Sequence, residues 1–497
     1  IISLLFIACN QENSIYNIKD YGAIGDSITL DQKAIQKAVD KAYSNGGGTV
    51  LVPAPGRYLT GTIVLKDNIN FKVEAGAKIV GSDCHEDYIQ VEKAAARGKY
   101  DKPKMSEHLI YAINAKNITI SGKGTIDGNG FHFWESFDTL PRWIKAKPDR
   151  VSNLVEIIEC QNINIEDITL INSPEWTCHI FDSDDILIDG VRIINNLYGP
   201  NNDGIDMSGV RNVRVTNCNI KTCDDAICLK TLVGSRTTHN VTVTNCVLQT
   251  TCVALKLGET VKDMSDITFS NCVITESSRA FGIYATWGGH LSNILVDNIV
   301  CNTNAPLVLN RPFQISAWNR YDKEGNLLWE GGSISNVIIS NFVATTEGRA
   351  LITANHDKKI ENITLENIQF IYPYIENPED YAAEATSNQF YGIEKDAMAA
   401  KASLVVSNVD NIMIDHMQVK WPVQELIPEE WNHPERIENG KFEKVHRPEY
   451  KKARQTEMHG LYLNNVNHGY INVPMLKASS SRLETIYKTN TTNLKIP

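Results

Sequence analysis

Carboxylates at a regular spacing are the first chemistry the chain offers. The stretch Asn201-Asn-Asp-Gly-Ile-Asp206 is followed by Cys223-Asp-Asp-Ala-Ile-Cys228, so Asp203 lies 21 residues before Asp224 and 22 before Asp225. Carboxylates held within a few ångströms of one another repel, and at least one must take a raised pKa. A proton donor then coexists with a proton acceptor near neutral pH, which is what glycoside hydrolysis requires. Two other readings stay open on spacing alone. Single aspartates are common in turns, and stacked carboxylates can hold a cation.

What would bring these side chains together is a repeat. Four segments align without gaps: Asp203-Gly-Ile-Asp206, Asp225-Ala-Ile-Cys228, Val253-Ala-Leu-Lys256 and Phe281-Gly-Ile-Tyr284, at steps of 22, 28 and 28. The second position is Gly or Ala and the third is Ile or Leu. The third therefore points inward, while the first and fourth point outward and vary in chemistry. This register puts Lys256 one rung from Tyr284 in the same column.

The repeat is not local. A unit of Asn or Asp followed by alternating apolar residues begins at Asn117, Asn162, Asp185, Asn212, Asn240, Asp266, Asn293, Asn336, Asn362 and Asn411. From Asn162 to Asn293 the steps are 23, 27, 28, 26 and 27. The longer steps of 45, 43 and 49 fit either two coils or one coil with a long loop. Each unit alternates as a short half-buried strand does. Strands this short need stacking on their neighbours, about 4.8 Å apart, to build a core. The architecture is an all-β, right-handed parallel β-helix. A second column, Asn217, Asn245, Asn271, Asn298, Asn341 and Asn367, suits tight turns whose side chains bond up the stack. Beside it, Cys218, Cys246 and Cys272 read as a stack of small buried hydrophobes rather than as disulfides.

The two ends differ from the middle. Residues 14–50 read as an N-terminal cap, with Ala34, Ile35, Ala38, Val39 and Ala42 at helical spacing before Gly46-Gly-Gly48. A helix there covers the open edge of the stack. Residues 421–455 are Pro-rich and charged and read as a long loop or irregular C-terminal cap, and the segment 458–473 as a last coil. The remainder, 10–497, is one domain. The chain starts with the apolar run Ile1–Ala8, too short to span a bilayer. With Cys9 it reads as the end of a lipoprotein signal, with Cys9 the lipidated residue and 1–9 the residual segment. That places the protein outside the cytoplasm, in a bacterial periplasm or on the outer membrane, with membrane contact through a lipid anchor. The net charge of −11 excludes a nucleic-acid partner, which needs a basic face. No pair among the eleven cysteines shows the CxxC spacing of a zinc site.

With these residues in register, the chain resembles glycoside hydrolase family 28, the polygalacturonase and rhamnogalacturonan hydrolase family of parallel β-helices. The resemblance rests on the segment from Tyr21 to Ala42, on Gly124-Thr-Ile-Asp-Gly-Asn-Gly130 with Trp134, on the stretch 172–191, and above all on Asn201–Asp206 with Cys223-Asp-Asp225. It implies an inverting hydrolase without metal or cofactor, with Asp224 as general acid and Asp203 and Asp225 activating water. It also implies a poly- or oligosaccharide partner, plant pectin by preference.

The chain departs from the family pattern at the substrate. Where polygalacturonases carry a Gly-His-Gly motif, Cys252 falls at the His; where they carry Arg-Ile-Lys, the chain reads Gly282-Ile-Tyr284. Lys256 then becomes the candidate cation for a sugar carboxylate, and Tyr284, Arg311 and Trp318, with Trp287 near them, become candidate subsite walls. His290 lies close by without an assigned partner. The expected activity is cleavage of a galacturonosyl or rhamnogalacturonan-type linkage. The rivals are a β-helix lyase, which needs Ca²⁺ and a basic Arg or Lys, and a glycan-binding β-helix without activity.

Overall fold

A computed structural model describes residues 14–91, 106–136, 144–305, 310–321, 326–346, 348–355, 357, 360–373, 400–422 and 457–497. Its strands stack in parallel into one continuous solenoid, a right-handed parallel β-helix. Around the carboxylates each coil contributes three strands. In one coil these are Ile205–Ser208, Arg211–Thr216 and Asn219–Thr222. Each pairs in parallel with its counterpart in the next coil: Ile227–Thr231, Thr238–Thr244 and Val247–Thr250.

Asparagine sets the corners. Asn162, Asn212, Asn240, Asn293, Asn336, Asn362 and Asn411 all have φ between 54° and 59°. This left-handed region costs most L-residues 1–2 kcal/mol but is tolerated by Asn. The side chains also bond up the stack. Asn240 donates to Asn212 (3.1 Å), Asn336 to Asn293 (3.2 Å), Asn362 to Asn336 (3.1 Å) and Asn411 to Asn362 (2.8 Å). The second Asn column behaves alike, with Asn298 donating to Asn271 at 2.6 Å and Asn367 to Asn341 at 2.8 Å. Inside, Phe281 stacks on Phe313 at 5.0 Å and 14°. Cys218, Cys246 and Cys272 are buried free thiols.

The long steps are single coils with long loops. Asn117 and Asn162 belong to directly paired strands, as do Asn293 and Asn336, and Asn362 and Asn411. The helix Gln32–Ser44 buries Ala34, Ile35, Ala38, Val39 and Ala42. Asp31, just before it, accepts from the amides of Ile24 (2.7 Å) and Gly25 (3.0 Å) and so ties down the preceding loop. The flanks of this cap join the ladder itself, since Ile15–Asn17 pairs with Gly48–Val52. At the other end His459–Asn472 is not the last coil, because Ile486–Thr489 and Thr492–Lys495 pair onto it. The predicted C-terminal loop lies outside the described residues beyond 422, and so does Cys9. Among the described residues no helix is long and apolar enough to cross a membrane.

Candidate active site

The candidate site lies along one strand stack, over Cys178–Phe181, Ile205–Ser208, Ile227–Thr231, Val253–Thr260, Arg279–Ala285 and Arg311–Ala317. Asp203 and the pair Asp224–Asp225 occupy the turns entering two successive strands. The pairing Asp206 with Cys228 confirms the step of 22 and sets Asp203 in register with Asp225. Buried amides hold these turns. Asn195 donates to Thr177 Oγ1 (2.7 Å), to the Asn202 carbonyl (3.2 Å) and to Thr222 Oγ1 (3.2 Å). Asn202 Oδ1 accepts from the Cys223 amide at 3.0 Å.

The three aspartates differ in environment. Asp203 and Asp225 are each 2% exposed, while Asp224 is 9% exposed and is the one nearest solvent. Asp224 Oδ1 accepts from the Asp225 amide (3.0 Å), and Asn201 donates to Asp224 Oδ2 (3.3 Å). Asp225 accepts from the Val253 amide (3.3 Å) and from Lys256 Nζ (2.5 Å). Burial pushes Asp225 upward, but Lys256 and then Lys230 outweigh it and hold the carboxyl below its ordinary value. Asp203 lies well above the usual carboxylate range, through burial first and then through Asp224 and Asp206. The set therefore splits, with Asp225 favouring the ionised form and Asp203 holding a proton more tightly than an ordinary carboxylate.

Further charged groups complete the face, and the motif does not announce them. Lys230 Nζ lies 2.6 Å from Asp206 Oδ1 and 3.8 Å from Asp203 Oδ2. The 2.6 Å approach is off-axis for a hydrogen bond, so the contact is an ion pair. Behind it, His179 Nδ1 is 3.1 Å from both Glu156 oxygens, and Nε2 is 3.2 Å from Ser208 Oγ. Strand alternation was the available signal, because Asp206, Cys228 and Lys230 all sit at outward parity.

The substrate-side register differs from expectation. Val253 pairs with Arg279 rather than Phe281, a step of 26, and Lys256 pairs with Gly282. Tyr284 is thus two positions beyond the Lys256 column. An even slip preserves which side chains face inward, so the apolar pattern could not detect it. Tyr284 nonetheless reaches back: a Cβ on Gly282 would lie 2.4 Å from its hydroxyl, and one on Gly258 would lie 3.0 Å from Lys256 Cε and 3.2 Å from the Tyr284 ring. Lys256 Nζ contacts Asp225 Oδ2, with 15% of the Lys side chain exposed. Tyr284 and Trp318 meet edge to face at 6.4 Å, beside Cys252 and Val253. Arg311 is buried, one rung beyond Arg279. Trp287 leans on Trp329 at 6.5 Å. His290 has partners after all, Ser333 Oγ at 2.8 Å and Ser335 Oγ at 3.0 Å.

Oxygens of Asp224 and Asp225 and the Cys252 sulfur lie within 4.8 Å of one another. They fit a metal poorly. Lys256 already engages Asp225 Oδ2, and burial pushes the Cys252 thiol well up, so it stays protonated.

Residues 47–387 match the family model of glycosyl hydrolases family 28. The chain belongs to that family. Among curated relatives of this family 28 protein, a probable polygalacturonase of Vitis vinifera is 32% identical over 236 residues, 45% of each chain. An exo-poly-alpha-D-galacturonosidase of Dickeya chrysanthemi is 30% identical over 43% of this chain and 41% of its own. The family 28 chain thus spans less than half the length of these two relatives. An exopolygalacturonase structure from Thermotoga maritima superposes with a TM-score of 0.61 at 24% identity, over 72% of this chain and 87% of that one, and shares the fold.

Proposed function

We propose that the protein hydrolyses a glycosidic bond in a pectic or related acidic polysaccharide, at a galacturonosyl or rhamnogalacturonan-type linkage, by single displacement with inversion. Asp224 acts as general acid on the leaving oxygen. Asp225 and Asp203 activate the water. The observation that carries this reading is the split among the carboxylates: Lys256 holds Asp225 below its ordinary value, while burial and the like charges of Asp224 and Asp206 push Asp203 well above its own. The greater exposure of Asp224 suits the group that must reach the substrate's leaving oxygen. Relatives named polygalacturonase and galacturonosidase support a galacturonosyl substrate.

The lyase reading fits less well. A lyase needs a neutral Lys or an Arg as base; both lysines of the site are ion-paired to aspartates, and Arg279 and Arg311 of the same stack are buried. The test is reducing-end release from pectic oligosaccharides by wild type and Asp224→Asn, with and without chelator. The hydrolase reading expects a 10²- to 10⁴-fold loss in the variant, no effect of chelator and no ultraviolet-absorbing unsaturated product. Equal release by wild type and variant sinks the acid assignment.

A further inference from the structure

Lys230 is a buried cation with two claimants. Its ammonium lies 2.6 Å from Asp206 and 3.8 Å from Asp203. Its side chain is 3% exposed, with those of Asp203 at 3% and Asp206 at 0%, so bulk solvent screens the contest little. The ammonium is fixed from the far side as well. It sits 3.8 Å from the centre of the Trp176 ring, and that ring meets His179 edge-on at 5.0 Å. Glu156 and Ser208 hold the His179 ring in turn. Among the described residues Asp203 Oδ1 has no hydrogen-bond partner, and its Oδ2 receives the weaker share of Lys230.

We propose that Lys230 and Asp206 are positioning residues that set the pH range in which Asp203 accepts a proton, by making two carboxylates compete for one buried ammonium. Asp206 draws the ammonium toward itself and adds a like charge beside Asp203. Both effects leave Asp203 with a strong hold on its proton. Lys230 opposes them. The other groups facing Asp203 are Asp224 and Asp225; those facing Asp206 include His179 and Asp225; those facing Lys230 include Cys228 and Glu259. Neither substitution alters these groups, so both variants are compared against the same set of neighbours.

The proposal deepens the hydrolase reading above and rests on it for the role of Asp203. Two substitutions must act in opposite directions. Asp206→Asn is nearly isosteric, removes the competing charge and frees Lys230 for Asp203. Lys230→Met removes the cation and keeps the stem. An infrared difference titration, with the Asp203 carboxyl band assigned through Asp203→Asn, reads the proton directly. The expected midpoint falls by about one pH unit or more in Asp206→Asn and rises by a similar amount in Lys230→Met. Lys230→Arg restores most of it. The acidic limb of kcat/KM, which reports the base in the free enzyme, moves the same way. A midpoint that stays still, or moves in one direction in both variants, overturns the proposal. Should Lys230→Met not fold, Asp206→Asn decides alone: a fall supports the proposal, and no change or a rise overturns it. A wild type that never turns over pectic substrates, while the titrations shift as expected, overturns the hydrolase reading and leaves the charge coupling standing.

Discussion

Removing Lys256 tests the ionised half of the site. Lys256 Nζ lies 2.5 Å from Asp225 Oδ2, with 15% of the Lys side chain and 2% of the Asp side chain exposed. Lys256→Met keeps the aliphatic stem and deletes the charge. Breaking a buried pair from one side costs about 3–5 kcal/mol, because the remaining ion is left uncompensated. The cost depends on pH, and the sign follows from Asp225. Its folded pKa is lowered, so in wild type its ionisation stabilises the fold at neutral pH, and that stability is lost only as pH falls through the folded value. In the variant burial acts unopposed by Lys256, and Asp225 takes up a proton as pH falls toward and through the ordinary carboxylate range. The difference between the proteins is therefore largest near pH 7, at about 3–5 kcal/mol. It shrinks to below about 1 kcal/mol where Asp225 is neutral in both. A long solenoid need not unfold in one step, so the assay is amide hydrogen exchange in Ile227–Thr231 and Val253–Thr260, compared at matched pH. Equal protection at pH 7, or a loss of protection that is the same at pH 7 and pH 4, refutes the reasoning.

Gly282→Ala puts a methyl 2.4–2.5 Å from the Tyr284 ring and hydroxyl. It should displace the ring, cost about 1–3 kcal/mol as overpacking does, and raise KM more than it lowers kcat; an unchanged KM removes Tyr284 from the substrate wall. If Cys9 is the lipidated residue of an exported protein, expression of the natural full-length precursor in bacteria with labelled palmitate gives a labelled, membrane-associated product, and Cys9→Ala gives neither label nor association.

The sequence disclosed the coil because its corners carry a chemical signature. Asn at positive φ recurs where a chain must turn sharply, and its amide finds the same amide one rung away. Once those columns were aligned, Asp203 and Asp225 fell in register by counting alone. Two things stayed hidden for one reason. The slip from 28 to 26 residues between Val253 and Arg279 is even, so every inward residue stays inward and hydrophobic patterning is blind to it. Alternation likewise placed Lys230 and Lys256 on the outward face without saying which acid each would choose. That choice depends on side-chain reach across rungs, and Lys256 reaches Asp225. Loop-borne expectations fared differently. Steps of 45, 43 and 49 had two solutions until strand pairing selected one coil plus a loop.

Stacking also explains why acid and base chemistry arises here without a metal in the proposed mechanism. A parallel coil repeats its side chains about 4.8 Å apart along the axis, closer than the Debye length of physiological salt. Charges in adjacent rungs therefore cannot ignore one another, and burial removes the water that would screen them. On this face Asp203, Asp206, Asp224 and Asp225 lie with Lys230 and Lys256, backed by the Glu156–His179 pair and followed on the next rungs by Arg279 and Arg311, all at most 9% exposed except Lys256. Charges so close and so buried set one another's hold on protons. The lysines bias where those protons go. Lys256 holds Asp225 toward the ionised form; Lys230, turned toward Asp206, leaves Asp203 under burial and the charge of Asp224, which push it well above the usual carboxylate range. A single lysine facing the other way would move the proton and with it the role of each carboxylate, which is why the Asp206 and Lys230 variants must shift Asp203 in opposite directions.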